Sequence, residues 1–122
     1  MTGAEVLRAF QEAMQARDWE RARPLLHDEL VVVYPHTGER FVGGDAFLAM
    51  NRAFPEGWTI SVRQVIEEGE RVAAEIRVEQ DGSVFWSVSF AVVRDGRIVH
   101  LTDYWVTERG EQPPGWRAAF AS

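Results

Sequence analysis

Apolar side chains at Val6, Leu7, Phe10, Ala13 and Met14 recur at the spacing of one helical face, with Glu5, Arg8, Gln11, Glu12 and Gln15 mostly opposite. The pattern predicts an amphipathic helix opened by Thr2 and ending near Arg17. Asp18 is placed to cap a second, short helix carrying Trp19, Ala22, Leu25 and Leu26. Pro24 has no N–H and should kink or divide that helix, which His27-Asp28-Glu29 should end. Leu30–Tyr34 is short, β-branched and stopped by Pro35, so it reads as a strand. Thr37-Gly38-Glu39-Arg40 reads as a turn, followed by Phe41-Val42-Gly43-Gly44. Asp45 is then expected to cap a third helix running through Phe54, which Pro55-Glu56-Gly57 terminates.

From Trp58 onward the period changes from helical to alternating. Strands are expected over Trp58–Glu67, Arg71–Glu79, Ser83–Arg94 and Arg97–Val106, joined by Glu68-Gly69-Glu70, Asp81-Gly82 and Asp95-Gly96. The two Asp-Gly pairs are strong hairpin signals. Alternation assigns faces. Val72, Ala74, Ile76 and Val78 oppose Glu75, Arg77 and Glu79. Trp86, Val88, Phe90 and Val92 make the bulky face of the next strand, opposed by Ser87, Ser89 and Ala91. In the last strand Val99, Leu101, Asp103 and Trp105 share one face, and Ile98, His100, Thr102 and Tyr104 the other. Asp103 thus stands among apolar neighbours. Helices, strand, helix and a long antiparallel meander define an α+β domain occupying residues 1–122, with a tail from about 107 expected to pack back through Trp116.

Composition narrows the range of functions. At 122 residues the chain accommodates one core. Its 13 basic and 19 acidic residues give a net charge of −6 without a basic stripe, which argues against nucleic acid or an anionic membrane as partner. No cysteine is present, so disulfides and thiolate chemistry are excluded. The three histidines, at 27, 36 and 100, form no helical ligand pair, and neither a metal nor another cofactor is expected. No leader or membrane span is read, so a cytoplasmic location is expected.

The order of these elements, with Leu25-Leu26-His27-Asp28-Glu29, Gly43-Gly44-Asp45-Ala46-Phe47, Asp95-Gly96-Arg97-Ile98 and Asp103-Tyr104-Trp105, resembles the nuclear-transport-factor-2-like superfamily, in particular its SnoaL-like branch. The resemblance covers almost the whole chain. It implies a cone-shaped, strongly curved, mostly antiparallel sheet packed against about three helices, enclosing a pocket, commonly in a homodimer. Ketosteroid isomerases look similar as far as the first strand, but their general-base aspartate falls at Tyr34 here and their oxyanion-hole tyrosine at Phe10. Limonene epoxide hydrolases look similar in the last strands. Of their three-residue device only the aspartate aligned with Asp103 is present, with Ile76 and Val78 in place of the arginine and the first aspartate. A SnoaL-like cyclase also resembles the pattern and relies on one pocket aspartate.

Asp103 is therefore the leading candidate for acid/base catalysis, since a desolvated carboxyl titrates near neutrality. The structural alternative is a carboxylate paired with Tyr34, Trp86 or a backbone N–H. Tyr34 and His36 alternate on one side near the end of the first strand and complete a candidate catalytic set. Trp86, Trp105, Trp58, Phe54 and Met50 are candidates for lining a pocket for a small apolar or cyclic molecule. His100, Thr102, Tyr104, Phe85 and Ser87 are expected on the convex face as a homodimer contact. The activity expected is cofactor-free proton transfer, such as isomerisation, cyclisation or dehydration. The alternatives are a carrier and a non-catalytic dimeric module.

Overall fold

The amphipathic N-terminal pattern becomes a thirteen-residue helix, α1 (Gly3–Gln15), that buries Val6, Leu7, Phe10, Ala13 and Met14. Thr2 and Glu5 form a reciprocal capping box. The helix is tied to the sheet at both ends. Glu67 Oε1 accepts from the Ala4 N–H at 2.9 Å, and Gln15 Oε1 accepts from the Ile60 N–H at 2.6 Å. In the computed structural model, which describes residues 1–122, the remaining elements follow in chain order. They are α2 (Trp19–Ala22), a 3₁₀ turn (Arg23–Leu25), β1 (Leu26–Tyr34), β2 (Glu39–Val42), α3 (Gly44–Ala53), β3 (Trp58–Glu68), β4 (Arg71–Gln80), β5 (Ser83–Arg94), β6 (Arg97–Thr107) and a C-terminal 3₁₀ turn (Gly115–Phe120).

The strands form one curved, unclosed mixed sheet in the order β2-β1-β6-β5-β4-β3, antiparallel except where β1 runs beside β6. The expected α+β architecture with a mostly antiparallel sheet is what the chain adopts. The helices cover one face, and nineteen apolar residues form the core between them. Each fully buried Leu, Val or Phe in that cluster stabilises the fold by about 1.5–3 kcal/mol before its ordering entropy is counted.

Several local expectations are corrected. The second helix is only one turn, because Pro24 directs Arg23–Leu25 into a 3₁₀ turn, and His27-Asp28-Glu29 lies in β1. Glu39-Arg40 belongs to a strand, since β2 pairs with β1 from Val31↔Val42 to Tyr34↔Glu39. The third helix is capped by Gly43, in the left-handed region at φ 98°, and Asp45 instead pairs with Arg23 at 2.6 Å. Gly44 is required by close approach, because a Cβ there would lie 2.9 Å from the His27 carbonyl oxygen and from Arg23 Nη1. Gly44→Ala should therefore cost about 1–3 kcal/mol in a urea titration, as overpacking against backbone does. The tail does not pack back: Trp116 is 77% and Phe120 87% exposed.

The correction with most consequence lies in the β5–β6 hairpin. A regular ladder from Asp95-Gly96 would pair Val88 with Asp103 and Trp86 with Trp105. The pairing instead jumps from Val93↔Ile98 to Val92↔His100, leaving Val99 as the extra residue of a β-bulge. Beyond it Ser89 opposes Asp103, Ser87 opposes Trp105 and Trp86 opposes Val106. The buried face of β5 is consequently Ser87, Ser89, Ala91 and Val93, small residues where α1 approaches the sheet, and Ile98 is fully buried beside them. Trp86 falls on the convex face, outside the cavity in which it was expected. Phe85 and Ser87 move the other way, from the expected convex face to the inner one.

Candidate functional site

The concave face and its covering helices leave two connected hollows. An outer chamber of about 290 Å³ is bounded by Met50 and Asn51 of α3, by Phe54 just after it, by Trp58 and Ile60 of β3, and by Phe85 and Trp105 across the sheet. Tyr34, His36 and Glu39 complete its rim. An inner chamber of about 50 Å³ shares Met14, Tyr34, Asn51, Ile60, Val78 and Trp105 with it and continues to Ser87, Ser89 and Asp103.

Asp103 reaches the inner chamber from the face of β6 that also carries Leu101 and Trp105, and the bulge sets it opposite Ser89. It is 5% exposed. Burial pushes its carboxyl up to about 6, opposed by a hydrogen bond from Ser89. Its Oδ1 has no hydrogen-bond partner. The neighbouring hydroxyls of Ser87 and Ser89 lie 3.3 Å apart, so the inner floor is a short polar strip set in an apolar wall. Of the alternative partners expected for Asp103, Trp86 lies on the other face of the sheet, and neither Tyr34 nor a backbone N–H reaches its Oδ1.

Tyr34 ends β1, where parallel pairing brings it alongside β6. Its ring meets Phe41 edge-on at 5.0 Å and stacks with His36 at 5.6 Å. Burial and then the Asp103 charge raise the phenol well above its ordinary value, opposed by the Trp105 indole N–H. Tyr34 is therefore a neutral donor throughout the physiological range. On the far side Arg17, in the left-handed region at φ 58°, lays its guanidinium 3.2 Å from the Trp58 ring centroid. It pairs with Glu56 at 2.9 Å and donates to the Trp58 carbonyl oxygen at 2.7 Å. This latch holds Trp58 as a wall, edge-on to Phe54 at 6.3 Å, with its Nε1 buried and unpartnered.

The residues expected at the site thus divide. Tyr34 and Trp105 line both chambers, Asp103 only the inner one, and His36, Met50, Phe54 and Trp58 only the outer one. Ser87, Ser89, Asn51, Glu39 and Phe85 complete the surface and were not anticipated there. The alternating Ser-x-Ser opposite an inward aspartate is the one signal that could have marked the two serines, and reading it requires the bulge. No group of three His, Asp or Glu side chains gathers as a metal site would require. The arrangement offers one carboxyl titrating near neutrality, one phenol donor and an aromatic enclosure, which suits proton exchange with a small bound molecule.

Comparison with known proteins bears on the family and the fold. Residues 7–101 match the SnoaL-like domain family. No curated protein matches the chain. Among solved structures, a presumed ketosteroid isomerase from Kribbella flavida is 27% identical, with a TM-score of 0.89 over 98% of this chain and 87% of that one. An NTF2-like protein of unknown function from Burkholderia xenovorans is 28% identical, with a TM-score of 0.81 over 97% and 91% of the two chains. An LEH-like epoxide hydrolase from M. tuberculosis shares the fold at 24% identity, with a TM-score of 0.73 over 85% and 82%. With the family matched over most of its length and the fold shared with these structures, the chain belongs to the SnoaL-like domain family within the NTF2-like fold.

Proposed function

We propose that this protein binds a small apolar or cyclic molecule in the two-chambered cavity and moves a proton on it without a cofactor, as an isomerase, cyclase or dehydratase does. The observation that carries the reading is Asp103: a nearly buried carboxyl with an unpartnered oxygen, raised to about 6, at the closed end of an aromatic cavity. A carboxyl so poised is mostly ionised at neutral pH, and so serves as a base there, and becomes an acid below about pH 6. Tyr34 is assigned as the donor to an oxygen that gains charge, and Trp105, Trp58, Phe54 and Met50 as the enclosure. His36 stands at the rim, where it contacts incoming ligand. The description of one structural neighbour as a presumed ketosteroid isomerase supports small-molecule chemistry in general. No complete catalytic device carries over, because Tyr34 and Phe10 stand where the isomerase resemblance sets its base and its donor, and of the hydrolase resemblance only Asp103 is kept.

The test is a ligand-observed NMR screen of small cyclic compounds, neutral and charged, followed by incubation of the hits in D₂O. Deuterium should enter a carbon position faster with the protein than without it. Asp103→Asn should lower that rate at least about 100-fold. Exchange that is absent from every hit, or unchanged by the substitution, leaves a binding protein or carrier as the better account.

The convex sheet face is assigned to a homodimer. Phe90 and Tyr104 meet edge-on at 6.3 Å, both about half exposed, with Val88, Val106 and Ile66 also uncovered. Such a patch on an antiparallel sheet calls for a partner of the same kind. Sedimentation should give a dimer at micromolar concentration and a monomer for Phe90→Glu. A wild-type monomer at high concentration overturns this assignment.

A further inference from the structure

The walls of the two chambers are electrostatically one-sided. No arginine lines either chamber, the acidic groups present are Asp103 in the inner one and Glu39 at the outer rim, and the one basic side chain is the imidazole of His36 at that rim. The Arg17 guanidinium beside Trp58 is already paired with Glu56. The inner chamber is also rich in acceptors. Asp103 Oδ1 has no partner, and Asn51 gives its amide N–H to the Phe47 carbonyl at 2.9 Å, which leaves its own oxygen to accept. The hydroxyls of Ser87 and Ser89 add further lone pairs. At about 50 Å³ this space suits one small head group, since about 10–15 Å³ of such space already admits one water. The outer chamber presents the rings of Tyr34, Phe54, Trp58, Phe85 and Trp105, and aromatic faces attract cations.

We infer that the cavity selects a small ring system bearing a protonated amine, its ammonium in the inner chamber against Asp103 and its ring among the aromatic residues outside. A buried carboxylate with an unpartnered oxygen is costly and is relieved by a proton or a cation. An ammonium brings a positive charge and three donors to the unpartnered oxygen of Asp103, whereas an anionic ligand would face that carboxylate in a low-dielectric enclosure. The inference rests on the cavity being a ligand site, as proposed above, and is independent of whether turnover follows.

Three probes of one shape test it: 2-aminoindane, 2-indanol and indane-2-carboxylate, titrated calorimetrically at pH 7.5. The indole N–H signals of Trp58 and Trp105 serve as the NMR report that binding is in the cavity. The amine should bind at least about tenfold tighter than the alcohol, and the carboxylate more weakly than either. Asp103→Asn should bring amine and alcohol to equal affinity. Equal binding of amine and alcohol to the wild-type protein overturns the inference, as does an amine preference that survives Asp103→Asn, while the cavity remains a ligand site. If none of the three binds or moves the indole signals, the inference fails and the ligand-site reading fails with it.

Discussion

Asp103→Asn should make the folded protein more stable by about 3 kcal/mol at pH 7.5, and by almost nothing below pH 4. The carboxyl has an ordinary value of 3.8 and stands at about 6 in the folded chain, chiefly because burial disfavours its charge. Between those values the folded state holds a proton that the unfolded state has released, so stability falls as pH rises through that window. Above about pH 6 the whole cost is present, and below 3.8 it has vanished. Asparagine has nearly the same shape and no charge, so it escapes the cost. Glu5, Asp28 and Glu56 behave in the opposite sense. Hydrogen bonds to Thr2, Arg23 and Arg17 hold them below their ordinary values, so what they contribute is lost as pH falls. They are common to both proteins and cancel in the difference. Urea titrations of the two proteins across pH 4–8 check the prediction. Equal stabilities at pH 7.5 would mean that Asp103 is compensated when charged, and the case for a tuned base would go with it. A functional group that costs stability where it works is the signature expected of a site and not of a structural pair.

The second large effect is expected at Phe10, which is 2% exposed, stacks with Phe47 at 6.2 Å and forms the α1 side of the inner chamber. Phe10→Ala should cost about 3–5 kcal/mol, the range for emptying a buried aromatic position in a core that relaxes only partly. The denaturation midpoint reports it. The cavity so made would join the inner chamber, so the loss should be partly recovered by an apolar ligand that fills the space. A cost under about 1 kcal/mol would mean that the helix settles onto the sheet and closes the chamber.

Much of this architecture is legible in the chain alone. The α1 stripe, the alternation of β4, and the Asp81-Gly82 and Asp95-Gly96 turns each depend on neighbours close in sequence, so local pattern suffices to place them. The inward aspartate is legible for the same reason, because Leu101 and Trp105 flank it at a spacing of two. Even the family resemblance rests on short strings within such elements.

What the chain does not announce is which strand faces meet. Bulky residues on β5 signal burial, so alternation alone sets Trp86, Val88 and Phe90 on the inner face. The space under α1 admits only Ser87, Ser89 and Ala91, and the bulge at Val99 advances the ladder by one residue to match. A register slip of one exchanges the two faces of a strand, and nothing local to β5 records it. The same long-range pairing unites Tyr34, Trp58 and Asp103, residues far apart in the chain, around one cavity, and makes β2 a strand by giving it β1 as a partner. Residue types and periods thus determined the elements and nominated the carboxylate. Packing of α1 against the sheet decided which side chains share its chamber, because the available space is a property of two surfaces and not of either sequence segment.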